Sequence, residues 1–135
     1  MKIEVPNGEI ADKVSILMIK SVKITDSQKL NNIHKELHML SFPLSEFMGD
    51  PNDMFKKNSL WGIFFDLKKI NEELWDIEDQ IRQKEKEKIF DEEFIELARM
   101  VYITNDKRSK MKAEINEQSK SLLREEKSYT DYLSQ

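Results

Sequence analysis

From Asn58 to Lys88 the chain contains no proline and a single glycine, Gly62, while its apolar residues return at helical spacing. Leu60, Ile63, Phe64, Leu67, Ile70, Leu74, Ile77 and Ile81 recur at intervals of three, four or multiples of them, so one face of a helix carries them all. A second stripe follows at once. Asp91 is a residue that caps helices, and Phe94, Leu97, Ala98 and Val101 open a pattern that runs past Ile115 to about Glu126. Two long helices joined by a tight turn must lie antiparallel. With the turn near Lys88, residues whose numbers sum to about 176 lie abreast.

Two shorter helices are expected before this hairpin. Ile10, Val14, Leu17 and Ile24 predict a helix over 8–24. Thr25 or Asp26 then caps a helix reaching about Leu40 on the stripe Leu30, Ile33, Leu37 and Leu40. Residues 41–58 hold Pro43 and Pro51 and read as a loop with one short helical turn. Phe42, Leu44, Phe47, Met48, Met54 and Phe55 make that loop apolar enough to pack on the bundle. The tail from Lys127 is assigned no element. The expected architecture is therefore all-α: a single domain over 1–135, a helical bundle built on a long antiparallel helix hairpin with two shorter N-terminal helices. Three glycines and three prolines leave few turns for a sheet, which agrees.

Charged residues form 36% of the chain, but their signs interleave and the net charge is only −4. No basic stripe suited to nucleic acid emerges. The lack of cysteine excludes disulfides and thiol chemistry and fits a cytoplasmic location. The opening "MKIEVPNGEIADK" has no apolar core of a signal peptide. No stretch approaches the roughly 18 apolar residues of a membrane span, so no membrane partner is expected.

The stripe changes chemistry in "VYITNDKRSKMK". Asn105, Arg108 and Lys112 fall in the arc of Phe94, Ala98 and Val101. In the preceding helix Asn71, Glu78 and Arg82 fall in the arc of Leu60, Phe64 and Leu67, with Trp75 at its edge. Glu9, Lys13 and Lys20 flank the stripe of the first helix. The hairpin register sets Asn71 beside Asn105 and Trp75 close to Tyr102. Polar groups on core-facing arcs must be paired, solvated or liganded, since burying them unmet costs several kcal/mol each. Three arrangements satisfy this: a closed network between helices, an open polar cleft, or a helix break at Thr104–Asn105. The cleft would suit an anionic or hydroxyl-rich ligand such as a sugar phosphate or nucleotide sugar. Lys13, Arg108 and Lys112 would hold its phosphate or carboxylate. Asn71, Glu78 and Asn105 would take hydroxyls, Trp75 or Tyr102 would stack on a ring, and Arg82 completes the expected ligand-binding set.

Catalytic and metal motifs are sparse. "HKELH" places His34 and His38 at i and i+4, but Lys35 stands where a zinc peptidase needs Glu, and the chain has no third His. "EEFIE" matches the first half of the acidic motif of all-α nucleotide pyrophosphatases, and no E-x-x-D follows to complete it. No metal or cofactor is therefore expected. A metal-free helical enzyme using Glu78 as general acid or base, akin in residue types to all-α chorismate mutases, remains an alternative.

"GEIADKVSILMIK", "INEELWDIEDQIR", "FIELARMVYITNDKRSKMKAEIN" and "EEKSY" together resemble a small family of bacterial and phage proteins of unknown function. The resemblance covers residues 3–39 and 67–132, and its third segment is the most specific. Its pattern includes Gly8, Glu9, Asp12, Lys13, Ile16, Lys20, Asn71, Trp75, Glu78, Arg82, Tyr102, Asn105, Asp106, Arg108 and Lys112. The resemblance implies a role near sugar or sugar-nucleotide chemistry in surface-polysaccharide synthesis, by gene association. It also admits an accessory protein to a glycosyltransferase. The Met and Phe residues of 42–55 would then meet a protein partner, and a homodimer is equally compatible.

Overall fold

Three of the four helices begin on a side-chain cap. Asp26 Oδ2 accepts from Lys29 N at 2.9 Å, Ser59 Oγ from Gly62 N at 3.0 Å, and Asp91 Oδ1 from Phe94 N at 2.9 Å. These caps open α2 (Ser27–Met48), α3 (Leu60–Glu87) and α4 (Glu92–Gln118) in the computed structural model, which describes residues 1–133. The first helix, α1 (Asn7–Lys23), follows Pro6 and has no side-chain cap of its own. Its first N–H groups are met by the far end of α4 and the residues just beyond. Asn7 N donates to Ser121 Oγ at 2.9 Å and Gly8 N to Asn116 Oδ1 at 2.6 Å, while Asn7 Nδ2 donates to Ser119 Oγ at 2.9 Å.

The chain is all-α, with no strand among the described residues, and α3 and α4 form the expected antiparallel hairpin. Lys88, in the left-handed conformation at φ 58°, makes its turn. α1 lies across both arms of the hairpin and α2 packs on α1. The core gathers Ala11 and Val14 from α1, Leu44 and Met48 from α2, Ile63, Phe64 and Leu67 from α3, and Ile115 from α4. No helix among the described residues is long and apolar enough to cross a membrane.

Two boundaries differ from the sequence reading. The loop expected from residue 41 is helical through Met48, with Pro43 inside α2. Pro43 removes one i→i−4 hydrogen bond. Leu37, Leu40, Leu44, Phe47 and Met48 continue the stripe of α2 onto the core, and that burial outweighs the lost bond. The short helical turn expected in this region is the 3-10 helix Pro51–Phe55. At the other end, α4 stops at Gln118 and not near Glu126. The side chains of Asn116, Ser119 and Ser121 are committed to the start of α1, and Lys120 turns the chain at φ 54°. The non-helical residues that follow return along α4, where Glu125 meets Lys112 and Tyr132 meets Tyr102. Residues 134–135 of the unassigned tail lie outside the described residues.

Gly8 is required by the approach of α1 to α4. A Cβ there would sit 2.5 Å from the carbonyl oxygen of Lys112, a backbone atom that cannot swing aside. Gly8→Ala is expected to lower stability by roughly 1–3 kcal/mol, the usual cost of forcing a methyl into a packed contact. Urea unfolding measures it, and an unchanged midpoint would mean that α1 sits more loosely on α4 than described.

Candidate functional site

The polar arcs meet at Asp12, whose residue surface is only 3% exposed. It stands one turn of α1 beyond Gly8, on the face turned to the hairpin. Arg108 of α4 grips it with two bonds, Nε to Oδ1 at 2.9 Å and Nη2 to Oδ2 at 2.5 Å. Asn71 of α3 donates Nδ2 to Asp12 Oδ1 at 3.0 Å and to Ser15 Oγ at 2.8 Å. Ser15 in turn donates to the backbone oxygen of Asp12 at 2.7 Å. Three helices are thus joined through one carboxylate. The bond to Asp12 pushes the Arg108 guanidinium further above its already high range.

One turn along α4, Lys112 lies between two acids. Its Nζ is 2.5 Å from Glu9 Oε1 and 3.5 Å from Glu125 Oε2. The two carboxyls also share a hydrogen bond with each other. That bond is the main reason the Glu9 carboxyl is pushed up, with burial adding to it. The same bond, with help from Lys127, holds Glu125 down to about 2. Glu9 is therefore the member of the pair that keeps a proton more readily, and Glu125 the anion.

Two cavities flank Arg108. The larger, about 690 Å³, lies between α4 and the returning tail. Tyr102, Tyr129 and Tyr132 line it together with Glu9, Asp106, Lys112, Glu125 and Lys127. Tyr132 packs edge-on to Tyr102, with ring centroids 5.1 Å apart, and its hydroxyl donates to Asp106. That bond raises the phenol to about 12. The smaller cavity, about 310 Å³, lies between α1, α3 and α4. Ile16, Ile19 and Leu74 give it apolar walls, and Trp75, Glu78, Asp79 and Arg82 stand around them. Asn105 and Arg108 line both cavities and form the ridge between them. Asn105 makes no side-chain hydrogen bond among the described residues. Asp12 occupies one N–H of Arg108 Nε and one of Nη2, and the remaining guanidinium N–H groups have no partner among them either.

The nominated residues divide accordingly. Asn71, Trp75, Glu78, Arg82, Asn105 and Arg108 gather around the smaller cavity, and Tyr102, Asn105, Arg108 and Lys112 around the larger. Trp75 and Tyr102, expected close together, line different cavities. Lys13 lines neither. It is half exposed on the other flank of α1 and pairs with Glu36 of α2 at 3.1 Å. Glu78 pairs with Arg82 at 3.3 Å across one helical turn, so the acid that Arg108 meets is Asp12. Asp12, Ser15 and Glu125 were missed as site residues. Asp12 carried two signals, its place in the pattern of the resembled family and its position three residues after Glu9 on α1.

The sequence profile of a family of unknown function, DUF6165, matches residues 1–135. The chain belongs to this family. No curated protein and no solved structure matches it.

Arg108→Ala strands Asp12 without its counter-charge and is expected to cost roughly 3–5 kcal/mol in urea unfolding. Adding Asp12→Ala should recover part of that loss, because the stranded charge is then gone. A single-variant loss below about 1 kcal/mol would show a solvated pair instead.

Acid unfolding probes the second cluster. The folded value of Glu125 lies below its ordinary 4.5, so its stabilising contribution is present above pH 4.5 and is lost as pH falls toward 2. Glu9 runs the other way: its contribution is full below 4.5 and fades as pH rises through its elevated value. The stability gap between wild type and Glu125→Gln should therefore narrow from pH 4.5 downward. A gap constant over that range would show Glu125 titrating as an ordinary surface carboxylate.

Proposed function

We propose that this chain is a small helical binding module in the cytoplasm. Its ligand lies across the Asn105–Arg108 ridge with one part in each cavity. The observation that carries this reading is the ridge itself. The Asn105 amide and the outer N–H groups of Arg108 have no partner among the described residues, and both cavities open on them. Tyrosines on one side and Trp75 on the other offer flat apolar faces for rings. Carboxylates beside the tyrosines suit hydroxyls. A sugar phosphate or nucleotide sugar has these features, and a role in surface-polysaccharide metabolism is consistent with them. Lys112 is matched by Glu9 and Glu125, so recognition of the anionic group rests on Arg108 more than on a pool of free cations.

A second reading is an accessory protein to a glycosyltransferase, with purely structural polar faces. The complete pairing of Asp12 supports it, as do Phe42 and Phe55, exposed at 70% and 92%.

Melting curves with UDP-glucose and with glucose 1-phosphate separate the two. A ligand at about ten times its Kd should raise the midpoint by roughly 4 °C. Asn105→Ala and Tyr102→Ala should abolish that rise while melting near wild type when free. If neither compound shifts the midpoint at millimolar concentration, the binding reading loses its support to the accessory one.

A further inference from the structure

The larger cavity owes one wall to a segment that is neither helical nor buried. Glu125, Lys127, Tyr129, Thr130 and Tyr132 line it from the returning tail, opposite α4. No residue of 122–133 is buried, and none belongs to a helix. Burial of apolar surface therefore does little to hold this strap, although ordering each of its residues costs backbone entropy. A segment with that balance opens far more readily than the bundle beneath it.

The root of the strap is fixed. Ser121 Oγ accepts from Asn7 N and donates to the Leu123 backbone oxygen at 2.6 Å, and Arg124 pairs with Glu117 of α4. Beyond the root, two side chains tie the strap to the bundle. Glu125 meets Lys112 and the carboxyl of Glu9. Further along, Tyr132 lays its ring edge-on to Tyr102 and donates its hydroxyl to Asp106. Lys127, between them, spends its contacts inside the strap, on Glu125 and on the ring of Tyr129, 5.9 Å away. The stretch between the two ties thus runs along the cavity as one of its walls. Both ties also end on groups that a ligand in this cavity would use. Tyr132 makes on Tyr102 and Asp106 the contacts that a hydroxylated ring would make, and Glu125 engages Lys112.

We propose that residues 122–133 are a lid over the larger cavity, hinged at Ser121 and latched by Glu125 and Tyr132, and that ligand enters when the latches release. The lid gates the ligand site proposed above and rests on that reading for its purpose. The latch itself is tested with no ligand present, so a failure of one idea is distinct from a failure of the other.

The chain has no cysteine, and Ser109 of α4 lines the cavity, so Ser109→Cys places a single thiol beneath the strap. Its rate of reaction with dithiodipyridine, an uncharged disulfide, reports how often the lid stands open. In the folded full chain this thiol should react at least about tenfold more slowly than in urea. Adding Tyr132→Ala, which alters no charge near residue 109, should speed the reaction roughly fivefold or more, and adding Glu125→Ala should speed it again. Circular dichroism should show unchanged helix in both, because neither side chain is buried. A thiol that reacts as fast in the folded chain as in urea overturns the lid. So does a Tyr132→Ala chain that reacts no faster than its parent.

Discussion

A carboxylate buried to the extent of Asp12 is stable only if its charge is met, and this requirement organises the rest of the molecule. Its partners come from both arms of the hairpin, so α1 has one workable position on it. Arg108 must reach it from α4 and Asn71 from α3. Apolar contacts alone would tolerate a slide of α1 along the groove, since ridges of similar side chains repeat at each turn. A bidentate ion pair does not tolerate it. The contact of Gly8 with the Lys112 backbone, one turn away, enforces the same position by shape.

That brace also shapes the open space beside it. An arginine crossing from α4 to α1 divides what would otherwise be one groove into two cavities. A closed network and an open cleft, which look like competing uses of the same residues, here stand side by side. Asn71 and the inner edge of Arg108 belong to the network. Asn105 and the outer edge of Arg108 face open space. Lys112 is drawn into its own acidic pair, which leaves the larger cavity close to neutral.

The hairpin was legible because its stripes are long, regular and free of proline. The polar arc was legible for the same reason, since Asn105, Arg108 and Lys112 interrupt a period already established. Asp12 was not, because a lone acid beside Lys13 in a charged helix looks like surface; its burial depends on a partner 96 residues away. The helical stretch through Pro43 was hidden by a local rule that tertiary burial of Leu44 and Met48 overrides. The end of α4 was misplaced because its last polar side chains serve another helix, a use that no local pattern announces.

The joining of α1 to the end of α4 also bears on how the chain is made. α1 is synthesised early, yet Arg108 follows Asp12 by 96 positions, and Ser121 follows Asn7 by 114. At ordinary rates of translation, about 5–20 residues per second, the first helix waits roughly 5–20 s for its counter-charge. Through that interval α2 and then α3 are the neighbours already made that can shield its apolar side. An acid in the middle of the waiting face is then an asset: solvated Asp12 keeps the nascent helix from sticking to other unfinished chains. The charge that later locks the bundle first protects it from premature company.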